Sequence, residues 1–75
     1  MQQLYDDDDV NDAVSLGTIY SIPANTSPKN CPPLSGVTIY LLYGSWGIIQ
    51  IAFNYLGAIH SRIFFNDNWS SWREL

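Results

Sequence analysis

Val37-Thr38-Ile39-Tyr40-Leu41-Leu42-Tyr43, Ile48-Ile49-Gln50-Ile51-Ala52-Phe53-Asn54-Tyr55 and Ile59-His60-Ser61-Arg62-Ile63-Phe64-Phe65 are three short segments rich in β-branched and aromatic residues. Gly44-Ser45-Trp46-Gly47 separates the first two and Leu56-Gly57-Ala58 the last two. That spacing of strand formers and turn residues predicts an antiparallel β-meander. Register follows from requiring the apolar positions to meet, because a slip of one residue turns every side chain to the other face. Val37, Ile39, Leu41 and Tyr43 then oppose Tyr55, Phe53, Ile51 and Ile49, which in turn oppose Ile59, Ser61, Ile63 and Phe65. The expected structural core is Ile39, Leu41, Ile49, Ile51, Phe53 and Ile63, joined by Trp69 and Trp72. The opposite face carries Thr38, Tyr40, Leu42, Gln50, Ala52, Asn54, His60, Arg62 and Phe64. It is too polar for a dry core and too aromatic for an ordinary solvent face, so the N-terminal segment or a second subunit is expected to cover part of it.

The flanks fit a small all-β domain. Thr18 to Ile22 alternates as a first strand and stops at Pro23. Residues 23–36 hold four prolines, two asparagines and Gly36, which neither continue a ladder nor fill a helix, so a long loop is expected that serves as connector and contact element. Asn66-Asp67-Asn68 is a turn by composition, and Trp69 to Leu75 a final short strand. In an extended segment Trp69 and Trp72 would point to opposite faces. Residues 1–16 form an acidic arm, irregular or with one short helix that Asp9 caps, Val10, Ala13 and Val14 side, and Gly17 ends.

Charge narrows the function. A net charge of −4 with only Lys29, Arg62 and Arg73 as cations argues against nucleic acid, since phosphate binding needs clustered Lys and Arg. No apolar run approaches the ~18 residues that span a bilayer, and the opening Met1-Gln2-Gln3-Leu4-Tyr5 has no signal-peptide pattern. The expectation is a chain made and folded in a cytoplasm, without membrane insertion. Size points to a partner. Folding buries roughly 7,700 Å², worth about 115 kcal/mol, against about 110 kcal/mol of ordering cost. With Cys31 as the sole cysteine there is no internal disulfide, and a partner subunit becomes the expected supplement.

Gln50-Ile51-Ala52-Phe53, a glycine-containing turn, Ile59 followed three residues on by Arg62, then Trp69-Ser70-Ser71-Trp72 and Leu75 form an ordered set of motifs. Upstream stand Asn11-Asp12-Ala13-Val14 before Gly17-Thr18-Ile19-Tyr20, and Pro32-Pro33. From about Asp9 onward the chain resembles the pyocin-knob family, a domain of phage tail fibres and pyocin fibres. The resemblance implies a knob-like antiparallel β domain over residues 17–75, a homotrimer with other virion or fibre proteins as neighbours, and attachment to the bacterial surface through a polysaccharide. It implies a place in the virion, in a phage tail or other appendage, after assembly in the host cytoplasm. The competing expectation is a purely structural virion module, a head or tail decoration or assembly protein that binds no glycan.

No catalytic residue, metal ligand or cofactor is expected. The run Asp6 to Asp9 lacks the spaced ligands and glycine of a calcium loop, and four adjacent aspartates cannot all face one ion, so it reads as a solvated helix start. One His, one Cys and Glu74 as the only glutamate make a poor catalytic inventory; a glycosidase would need paired carboxylates, and outside the acidic arm only Asp67 and Glu74 remain. Trp46, between two glycines at a hairpin tip, is the leading residue for a glycan or partner contact, because an indole stacks on sugars and donates one N–H. Tyr40, Asn54, His60 and Arg62 on the polar face complete the contact set, although His60 also reads as a packed strand residue.

Overall fold

A computed structural model describes residues 1–75. Seven strands form one mixed sheet: β1 (Gln2–Gln3), β2 (Tyr20–Ile22), β3 (Val37–Gly44), β4 (Gly47–Phe53), β5 (Ile59–Phe65), β6 (Asn68–Trp69) and β7 (Arg73–Glu74). They lie in the order β1 to β6, with β7 sharing the β5 edge. Every pairing is antiparallel except that of β1 with β2. The meander is β3–β4–β5, and the fold is the small all-β domain that the sequence predicts.

Its register differs from the expected one. Ile39 opposes Ala52, Leu41 opposes Gln50 and Tyr43 opposes Ile48, a slip of one residue that places Ile51 and Leu41 on contrary faces. The hairpin is closed by the pair Gly44 and Gly47 with only Ser45 and Trp46 between them, a two-residue turn where the apolar-matching register needs three. Gly47 fixes this closure, since a Cβ there would lie 1.9 Å from the carbonyl oxygen of Phe64. Between β4 and β5 the shift is two residues, Ile51 to Ser61 and Phe53 to Ile59, which preserves the face. Asn54 sets it: its side-chain oxygen accepts from the N–H groups of Leu56 and Ala58, at 3.1 and 3.3 Å, and Gly57 takes φ +85°. The result is a longer turn than Leu56-Gly57-Ala58 alone.

The slip exchanges the roles of the faces on β4 and β5. The inner face carries Tyr20, Ile22, Val37, Ile39, Leu41, Gln50, Ala52, Arg62 and Phe64. Leu4, Val10 and Ala13 join the inner residues Tyr20, Ile22, Val37, Ile39 and Ala52 in one buried cluster, with Leu34, Cys31 and Trp72 against it. Residues 1–16 therefore supply three of the eight buried core residues rather than forming a separate arm. Asp9 caps as expected, accepting from the Asn11 N–H at 2.9 Å, but the helix is a single 3₁₀ turn, Val10–Asp12, and Gly17 lies in a later turn at φ +82°.

The outer face carries Tyr40, Leu42, Ile49, Ile51, Phe53, Ile59, Ile63 and Phe65, none of them buried. Ile49, Ile51, Phe53 and Ile63, expected in the core, are half-exposed here. The accessible surface of 4782 Å² is close to the ~4,650 Å² expected for a monomer of this mass. The open apolar face is thus a matter of which residues lie there, not of loose folding.

Candidate functional site

The polar stripe that the sequence shows on β4 and β5 is the socket for the N-terminal segment. Gln50, fully buried, donates from Nε2 to the carbonyl oxygens of Val10 at 2.9 Å and Ala13 at 3.0 Å. Those carbonyls belong to a short helical turn and its cap, and the Val10 carbonyl also accepts from the Ala13 N–H at 3.1 Å. The Gln50 Oε1 accepts from Arg62 Nε at 2.7 Å. Three hydrogen bonds from one amide remove most of the cost of burying it.

Arg62 is 5% exposed. Its guanidinium lies 4.1 Å from the ring centre of Trp69 and 4.8 Å from that of Trp72. Two desolvated indole faces attract a cation by about 2 kcal/mol each. Burial pulls the guanidinium down to about 10, against a smaller upward pull from Asp9, so it stays charged near neutrality. Nη2 has no hydrogen-bond partner, and neither do the buried Asn11 Oδ1 and His60 Nδ1. Trp69 and Trp72 both serve the inner side because Ser70 to Trp72 leaves the β5 edge between β6 and β7, breaking the alternation an unbroken strand would impose. Ser70 makes that departure fit, its hydroxyl accepting from the Ile63 N–H at 3.0 Å.

The network continues into the proline-rich loop. Trp72 Nε1 donates to the Asn30 carbonyl at 2.9 Å, and Asn30 Nδ2 donates to Asp9 Oδ1 at 2.8 Å. The Asn30 amide, followed by the Asn11 N–H, holds the Asp9 carboxyl below the usual carboxylate range. Asp6 accepts from the Ser27 N–H at 2.7 Å and Asp8 from the Tyr5 N–H at 2.7 Å. Three aspartates of the run thus serve three separate backbone partners. No group of three or more His, Cys, Asp or Glu side chains is arranged to hold a metal ion.

Of the five expected contact residues, two are occupied by the fold itself: Arg62 in the core and Asn54 in its turn. His60 is half-buried on the inner side, opposite Ala52 and Glu74. Tyr40 stands on the outer face with its ring 5.6 Å from that of Phe53. Trp46 is folded back along the hairpin, so that a Cβ on Gly44 would meet its indole at 2.5 Å, yet the side chain remains 46% exposed. The five side chains do not converge.

Two surfaces remain open. One is the outer sheet face. The other is a shallow groove of about 380 Å³ in the loop, lined by Asn25, Thr26, Ser27, Cys31, Pro32, Pro33, Leu34 and Ser35. Sequence reasoning gave the loop a contact role but no residues, because only the folded path brings Asn25 and Ser35 together. Comparison with family models, curated proteins and solved structures finds no match for the chain.

Proposed function

We propose that this chain is a non-enzymatic, fibre-type knob module of a virion that packs against two copies of itself through its outer sheet face and presents its loops to a bacterial surface polysaccharide. The observation that carries the reading is the outer face itself. Tyr40, Leu42, Ile59 and Phe65 are between 39% and 55% exposed, with the half-exposed Ile49 and Ile51 between them. At ~150–250 Å² per large side chain this amounts to on the order of 500 Å² of open apolar surface, at the top of what monomers carry.

A second copy is the occupant that the charges favour. The face bears no carboxylate, while the acidic run Asp6 to Asp9 lies with the N-terminal segment across the sheet, so copies can meet there without bringing their aspartates together. Three sheets turned toward a common axis cover all three faces and close, as a symmetric assembly must. The core supplies a reason to assemble, since only 12 of 75 residues are buried.

The structural module without a glycan is favoured by one observation. Asn54 and Arg62, both expected at a contact, are consumed by turn and core. Sedimentation equilibrium at micromolar concentration tests assembly, and binding to purified cell envelopes tests adhesion. A folded monomer rejects the first part, and absence of envelope binding by the assembled protein leaves the structural module.

A further inference from the structure

We infer that the groove in the proline-rich loop is a binding subsite for a neutral sugar ring, the place where the adhesion function proposed above touches its glycan. The inference rests on the adhesion part of that reading and goes beyond it in naming the site and the ligand class.

The loop is built rather than slack. Pro28 and Pro32 are buried. Ser27 N–H is tied to Asp6, Lys29 N–H donates to the Asp8 carbonyl at 2.9 Å, and Lys29 carbonyl accepts from Val10 N–H at 2.9 Å. The two rims are brought together by left-handed backbone at Asn25, φ +63°, and Gly36, φ +63°, where Gly36 lies against Ala24. A surface already held in shape loses little entropy when a ligand arrives.

The lining selects the ligand. Side-chain hydrogen bonds of this region run through Asp6, Asn30 and Trp72, which leaves the Asn25 carboxamide and the hydroxyls of Thr26, Ser27 and Ser35 free to donate and accept. Pro33 and Leu34 supply C–H surface between them. No carboxylate, Lys or Arg lines the groove, so nothing compensates the desolvation of an ion, and a uronate or phosphate is disfavoured. Alternating hydroxyls and C–H patches match the two kinds of surface on an uncharged pyranose. The volume of about 380 Å³ is near the lower end of the ~300–1,000 Å³ of small-molecule sites. The groove belongs to the loop alone, so covering the outer sheet face leaves it accessible.

Titration of the ¹⁵N-labelled chain with methyl glucoside, methyl N-acetylglucosaminide and methyl glucuronide, each to about 50 mM, reads the site directly, because that concentration nearly saturates a site with a dissociation constant as weak as ~1 mM. Saturable shifts confined to the amides of residues 24–36, from a neutral glycoside and not from the glucuronide, are expected. The double substitution Asn25→Gly and Thr26→Val keeps the left-handed backbone and the side-chain shape, and should weaken that binding by about tenfold or more with an unchanged amide spectrum elsewhere. Absence of shifts with all three sugars, or an unweakened double variant, overturns the inference. Shifts centred on Trp46, with envelope binding intact, reject this groove while preserving adhesion. Loss of envelope binding by the assembled wild-type chain rejects adhesion itself.

Discussion

The Nε–H of Arg62 on β5 donates to Gln50 Oε1 on β4 at 2.7 Å, and the same Gln50 donates to the carbonyls of Val10 and Ala13. One cross-strand pair therefore connects the C-terminal tryptophans, stacked on the guanidinium, to the N-terminal turn. The sheet and the segment that covers it are held by the same two side chains.

Gln50→Leu keeps the bulk and removes all three bonds, leaving the Ala13 carbonyl and the Arg62 Nε unpaired and the Val10 carbonyl with only the Ala13 N–H. We expect a loss of about 2–4 kcal/mol in the urea unfolding free energy. Arg62→Lys should fail to preserve stability although it keeps the charge, because an ammonium cannot lie flat between two rings or reach Gln50 in the same geometry. A lysine variant with an unchanged urea midpoint would mean that the stack contributes nothing.

Asp9 makes the fold sensitive to acid. Its carboxyl is held below the ordinary value of 3.8 in the folded chain, chiefly by Asn30 and then by the Asn11 N–H. A depressed carboxyl contributes stability that is fully present above the unfolded value and lost as pH falls through the folded one. Asp9→Ala should thus be less stable than the native chain at pH 7, and the gap between their urea midpoints should narrow below about pH 4. A gap that stays constant down to pH 2 would assign the loss to packing instead.

The strands were legible because β-branched and aromatic runs between turn residues leave few alternatives, and β5 spans Ile59–Phe65 as the sequence reading has it. The register was not. Matching Ile39 with Phe53 maximises apolar contact between β3 and β4, but the turn at Ser45 and Trp46 decides the pairing and sets Ile39 against Ala52. The small residue shares the buried cluster with Val10 and Ala13. Gln50 and Arg62 looked like surface residues because their partners, two backbone carbonyls and two indoles, lie about forty and ten residues away. A polar pair on neighbouring strands, flanked by aromatics, was the available signal. The groove could not be read at all, since its lining depends on left-handed turns at Asn25 and Gly36.

Two glycines separate close approach from backbone freedom. Gly57 adopts φ +85° with nothing within 4 Å of the position a Cβ would take, whereas Cβ at Gly47 would overlap the Phe64 carbonyl oxygen. Gly57→Ala should cost about 1 kcal/mol, the usual cost of forcing a left-handed residue to carry a side chain. Gly47→Ala has to move the β4–β5 ladder and should cost about 2 kcal/mol or more. Equal urea midpoints for the two variants would contradict the hairpin closure described above.

The outer face provides the last test, because in the proposed assembly its residues would contribute to folding and to association unequally. Ile51 is half-exposed between Tyr40 and Ser61, away from the buried cluster, so a charge there remains in contact with water in a single chain. In an assembly the same charge would be buried without a partner, at about 3 kcal/mol or more per copy. Ile51→Glu should therefore shift the dissociation constant by at least about 100-fold while changing the circular dichroism of the dissociated chain little. Ser21→Glu, on the same face near its β2 margin, should shift it far less. An Ile51→Glu variant that sediments like the native protein would remove the outer face from the interface, and if it unfolds on dissociating, the isolated chain is not stable alone and the assembly is obligate.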